Sequence, residues 1–178
     1  MQTSSFRRAA ALAATTLVAG TTIALAGPAA QPASAQTKTF SDGGGHVTTV
    51  KVKYTSSSLT VDAKVGKVTL GGDFTFWIDT VPSDPGPEYK VEVYPNSDGI
   101  ALSKVSTFTS TGTTKSCDVA ASADAYGSDH VVVKVPSSCL GKPHKVRVAL
   151  RAYYNVPGPN VVDWAPGKHK FFGWVYRG

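Results

Sequence analysis

The sequence is poor in sulfur: methionine occurs once, as Met1, and cysteine twice, as Cys117 and Cys139. Zinc and dithiol redox sites normally bring a second thiol within about two to four residues, so a pair spaced this widely sets both chemistries aside. Charge is also sparse. Only 17% of the residues are Asp, Glu, Lys or Arg, below the roughly 25% of ordinary domains. The basic excess is scattered: Lys51, Lys53, Lys64, Lys67, Lys90, Lys134, Lys145, Lys168 and Lys170 are spread along the chain, many alternating with apolar neighbours, as solvent-facing strand positions do. A nucleic-acid partner, which calls for clustered bases with interleaved aromatics, is not expected. Helical patterning is absent over any stretch of about ten residues. Catalytic signatures are thin as well. The four histidines, His46, His130, His144 and His169, are too widely spaced for a zinc pattern, and no Gly-x-Ser-x-Gly elbow occurs. The chain is therefore read as non-catalytic, with a hydrolase of unrecognised site as the least favoured alternative.

What is present begins with an export signal. Arg7 and Arg8 precede a run without charge that reaches Gln36 and contains the apolar stretch Ala9 to Ala26. Ala33-Ser34-Ala35 supplies a small-residue cleavage site. Residues 1–35 are expected to be a cleaved signal peptide. The general secretory route is favoured over the twin-arginine route, because Ala9-Ala10-Ala11 stand where the latter usually carries a bulky apolar pair. No membrane span is then expected after cleavage, and the product is expected to be extracellular and monomeric. Losing Arg7 and Arg8 lowers the formal net charge from +6 to +4. In an oxidising compartment Cys117 and Cys139 are expected to form a disulfide, closing a loop of about 20 residues and contributing roughly 3 kcal/mol.

Residues 36–45 end in Gly43-Gly44-Gly45 and read as a flexible lead-in to a single domain over 46–178. Val50, Val52 and Tyr54 alternate with lysines. After Thr55-Ser56-Ser57, Leu59, Val61, Ala63 and Val65 alternate with Thr60, Asp62 and Lys64, which predicts a hairpin. Phe74, Phe76 and Ile78 predict a central strand with Thr75, Trp77 and Asp79 on its other face, followed by a loop stiffened by Pro82, Pro85 and Pro87. Val91 and Val93 predict a short strand, Pro95 to Gly99 a turn, Ile100 to Phe108 a further segment, and Thr109 to Lys115 a polar connection. Residues 119–125 read as strand or loop, and Val131 to Val135 as a strand. Ser137 to Gly141 predict one helical turn, capped by Ser137 and closed by Gly141. Val146 to Ala152 predict the longest strand, Asp163 to Gly167 a bend, and Phe171 to Tyr176 a last aromatic strand. Short strands and frequent turns imply an all-β fold: a two-sheet antiparallel β-sandwich, jelly-roll-like, with at most one short helical turn.

Two groups of residues are candidates for binding. Asp79, Asp84 and Glu88 lie on or beside the proline-rich loop, where a hard cation such as calcium finds oxygen ligands. The competing reading has Asp84 and Glu88 capping turns and Asp79 bonding neighbouring backbone donors. Trp77, Trp164 and Tyr153 offer flat faces on which sugar rings stack, against the alternative that they are ordinary packing residues. No other cofactor is implied.

Phe76-Trp77-Ile78-Asp79-Thr80 with Gly86-Pro87-Glu88-Tyr89, Val135-Pro136-Ser137-Ser138-Cys139-Leu140-Gly141, and Asp163-Trp164-Ala165-Pro166-Gly167 resemble motifs of a group of small exported bacterial proteins of unknown function. More distantly, the strand ending in Ile78-Asp79-Thr80 before a Pro/Gly loop is similar to family 9 carbohydrate-binding modules and the related DOMON sandwiches. That resemblance implies a β-sandwich with a binding role. It departs from the haem-binding members, since Met1 leaves with the leader and no Met/His ligand pair is present. The expectation is a secreted binding module for a glycan or other cell-envelope ligand. The alternative is a secreted structural or protein-interaction domain.

Overall fold

The computed structural model describes residues 35–95, 100–125 and 127–178. The expected leader, apart from Ala35, and most of the turn at Pro95 to Gly99 lie outside them. Twelve strands follow in order: β1 (Gln36–Ser41), β2 (Val47–Tyr54), β3 (Ser58–Val65), β4 (Asp73–Asp79), β5 (Tyr89–Val93), β6 (Ala101–Lys104), β7 (Thr113–Lys115), β8 (Ala120–Ala123), β9 (His130–Pro136), β10 (Lys145–Tyr154), β11 (Val161–Ala165) and β12 (Val175–Tyr176). One 3₁₀ turn, Ser137–Leu140, separates β9 from β10. The strands form two antiparallel sheets. One has the order β1-β2-β3-β9-β8; the other runs β11-β10-β4-β5-β6-β7, with β12 also pairing β10. The all-β sandwich expected from two-residue alternation is what the chain forms.

The alternation explains where the core lies. Val50, Val52 and Tyr54 of β2, Leu59, Val61 and Ala63 of β3, and Val131, Val133 and Val135 of β9 face inward from the first sheet. Phe74, Phe76 and Ile78 of β4, Val91 and Val93 of β5, and Val146, Val148, Leu150 and Tyr154 of β10 meet them from the second. Each such side chain contributes about 1.5–3 kcal/mol by leaving water. Val47 is buried although it lies three residues before Val50; a register shift between Val47 and Thr49 resets the alternation, as a β-bulge does.

The disulfide Cys117–Cys139 joins the stretch between β7 and β8 to the 3₁₀ turn after β9. Since β7 belongs to one sheet and β8 to the other, the crosslink pins the chain where it crosses between layers. Asp163 makes a second tie: its Oδ2 accepts from the backbone N–H of Val47, 2.7 Å away. A Cβ at Gly45 would fall on the Asp163 carboxylate, so this close approach requires glycine.

Several local expectations are corrected. Gln36–Ser41, read as flexible, is the edge strand β1. Its Gln36, Lys38 and Phe40 are half-buried while Thr37, Thr39 and Ser41 are exposed, and Phe40 stacks on Phe172 with ring centroids 4.9 Å apart. The segment before residue 46 thus supplies a strand to the first sheet. Thr113–Lys115 pairs with β6 although all three residues are exposed, so burial gave no pattern to read. Of the bend expected over Asp163 to Gly167 only Pro166-Gly167 is one; Val161–Ala165 is strand, because β10 outreaches β12 and offers a free edge from Leu150 to Tyr154. Only Val175–Tyr176 of the last aromatic segment is strand. Ser137 does not cap the turn; its Oγ donates to the carbonyl of Ser56, whereas Gly141 closes the turn at φ 77° as expected.

Candidate functional site

The site lies on the outer face of the second sheet, opposite the core. Side chains there fall into rows that cross the strands. Lys90, Trp77 and Ala149 form one row, and Glu92, Thr75, Arg151 and Trp164 the next. Asp73, Tyr153 and Val162 form a third. β10 pairs with β12 over its first residues and with β11 over its last, so residues 166–174 leave one edge and return to it. Phe171 from that connection, with Val105 and Phe108 from the β6–β7 connection, packs onto Trp77, Ala149 and Trp164 as a second, smaller apolar cluster. Part of an outward face is thereby made into an interior.

Trp77 and Trp164 stack, with centroids 5.0 Å apart and planes 16° apart. Phe108 stacks on His169 at 4.9 Å, and His169 meets Trp164 edge-on at 5.0 Å. The structure therefore brings together the two tryptophans expected to bind a ligand, but not as a pair of open platforms. Trp77 is only 3% exposed, and Trp164 covers one of its faces. Tyr153 lies in the third row, beyond the cleft described next, beside the exposed Val162.

Where the covered part of the face meets the open part, a cleft of about 320 Å³ is lined by Trp77, Trp164, Phe108 and His169. Its polar wall is Thr75, Lys90, Glu92, Arg151 and the run Thr109 to Thr111. Lys90 Nζ lies 3.1 Å from Glu92 Oε1, and Arg151 Nη2 donates to Asp73 Oδ1. The indole Nε1 of Trp77 and the guanidinium Nε of Arg151 are buried and find no hydrogen-bond partner among the described residues. Leaving a buried donor unpaired costs about 1–3 kcal/mol, and both donors lie beneath the surface of residues that line the cleft. Tyr94, exposed at the rim, feels Glu92 and Asp73; burial first, then these charges, push its phenol upward against the pull of Arg151.

The Asp79 to Glu88 loop sits at the other end of β4, and each of its three carboxylates has a partner within the chain. Asp79 is fully buried and forms an ion pair with Arg147, whose Nε and Nη2 both lie 2.6 Å from Oδ2. Its Oδ1 accepts from the N–H of Val81 at 3.0 Å. The Arg147 guanidinium is held in turn over the rings of Phe171 and Trp174, at 4.8 and 4.7 Å. Asp84 Oδ1 accepts from Gly86 N. Glu88 Oε2 accepts from Thr80 N at 2.5 Å and from Thr80 Oγ1 at 3.0 Å. Burial pushes the carboxyls of Asp79 and Glu88 above the usual range, Arg147 opposing it at the first and the Thr80 hydrogen bonds at the second. Among the described residues no three His, Cys, Asp or Glu side chains gather to hold a metal. All three carboxylates accept from backbone N–H groups, and Asp79 adds the ion pair to Arg147.

Thr75, Lys90, Glu92, Arg151, Phe108 and His169 were not singled out as site residues from the sequence. One signal was available: Trp77 projects outward from a central strand between Thr75 and Asp79, where an exposed indole would be unusual. Among the described residues no helix is long and apolar enough to cross a membrane. Comparison with protein-family models, curated proteins and solved structures finds no match.

Proposed function

We propose that the chain is a secreted, non-catalytic binding module whose outer-face cleft receives a sugar unit of a glycan or of another cell-envelope component. The observation that carries this reading is the cleft itself, in which the stacked aromatics meet a polar wall of hydroxyls, charged donors and a carboxylate. Ligand sites of this kind combine apolar surface with a few placed polar groups. Sugar rings fit both halves, offering C–H faces to indole and hydroxyls to the donors. The resemblance of the Ile78-Asp79-Thr80 strand to carbohydrate-binding sandwiches points the same way. The disulfide supports export, since such bonds persist in oxidising compartments.

Binding isotherms against a panel of soluble bacterial and plant polysaccharides test the proposal. Trp164→Ala is expected to weaken binding about tenfold or more, as loss of a central aromatic contact does. A wild-type chain that binds none of the panel removes the reading.

A further inference from the structure

We infer that the cleft selects an uncharged saccharide over an acidic one, a conclusion that rests on the binding role proposed above. Every formal cation on the cleft wall already faces a carboxylate. Lys90, whose side chain is 11% exposed, is held 3.1 Å from Glu92. Arg151, 34% exposed in its side chain, turns Nη2 to Asp73. A uronate or other anion entering the cleft would therefore meet no uncompensated cation and would share the wall with Glu92, 42% exposed in its side chain. Its carboxylate also offers acceptors only, where the neutral sugar has a hydroxyl.

A sugar hydroxyl does both jobs. It accepts from an N–H and donates its own proton to a neighbouring oxygen. Hydroxyls of one ring can accept from the exposed part of the Arg151 guanidinium and from the hydroxyls of Thr109 to Thr111 while giving their protons to Glu92 and Thr75. The cleft thus sets donors beside a carboxylate acceptor, with its formal charges paired, which suits a neutral polyhydroxylated ring.

The test uses matched pairs that share backbone and linkage: cellohexaose with its C6-oxidised uronate, mannohexaose with oligomannuronate, and methyl-esterified with free oligogalacturonate. For any backbone the wild-type chain recognises, the neutral member is expected to bind about tenfold tighter. That affinity should change little between about 50 and 500 mM salt, because no net charge is neutralised. Glu92→Gln leaves Lys90 without its countercharge and is expected to shift the preference toward the acidic member by about fivefold or more. Tighter wild-type binding of the acidic member, affinity that falls steeply with salt, or a Glu92→Gln chain with native circular dichroism and an unchanged ratio would each overturn the inference while leaving the glycan reading in place. Binding to neither member of any pair overturns both. Should Glu92→Gln not fold, the wild-type ratio and its salt dependence decide alone.

Discussion

Glu88 shows how burial and hydrogen bonding compete at one carboxyl. Two hydrogen bonds from Thr80 favour the ionised form, yet burial outweighs them, and the charges of Asp79 and Asp84 push in the same direction as burial. A folded value above the unfolded one means the native chain holds the proton more tightly. The contribution of Glu88 therefore favours the fold below the ordinary carboxylate range and is lost as pH rises through the raised folded value. Glu88→Gln keeps an oxygen acceptor for Thr80 and removes the titration. Between about pH 4 and 6, the melting temperature of the wild-type chain should fall more, or rise less, than that of the variant; parallel curves in the two proteins would contradict this. Asp79 follows the same burial logic under a different partner. Its position on the outward parity of β4 was legible from Phe74, Phe76 and Ile78, whereas Arg147 as its partner was not, because the pairing depends on the register of β10 against β4, which places Arg147 opposite Asp79.

Strands with one buried face announced themselves through their alternation. β3, β9 and β10 were readable because every second residue is a valine, leucine or alanine that enters the core. β1, β7 and β11 were missed or misread because they are edge strands with shallow burial, so their pairing comes from a neighbour's free ladder rather than from their own pattern. The crossing from β7 to β8 depends least on such a pattern and most on the crosslink, since β7 is exposed and β8 only half-buried on alternate residues. Replacing both Cys117 and Cys139 by serine should lower stability by about 2–4 kcal/mol, measured by urea unfolding. It should also speed amide exchange in β8 first. An unchanged midpoint would mean that packing alone holds the crossing.

Taken as a whole, the molecule has two interiors of unequal size. The larger, between the sheets, follows from periodicity and was visible in the sequence. The smaller lies on an outer face and is made by segments 105–111 and 166–174 folding back over Trp77 and Ala149. No local pattern encodes that return; it follows from β11 and β12 sharing one edge of β10, a fact of topology. The cleft opens at the border of this second interior, which is why Trp77 and Trp164 could be named from composition while Lys90, Glu92 and Arg151 could not. The decisive measurement is a proton–nitrogen spectrum of the three indole N–H groups during titration with the tightest-binding oligosaccharide of the matched panel. The indole of Trp77 should shift progressively and saturate with the binding isotherm, while that of Trp174, packed on Lys145 and Arg147 away from the cleft, should hold its position. A saturating ligand that leaves Trp77 unmoved would place recognition elsewhere on the molecule.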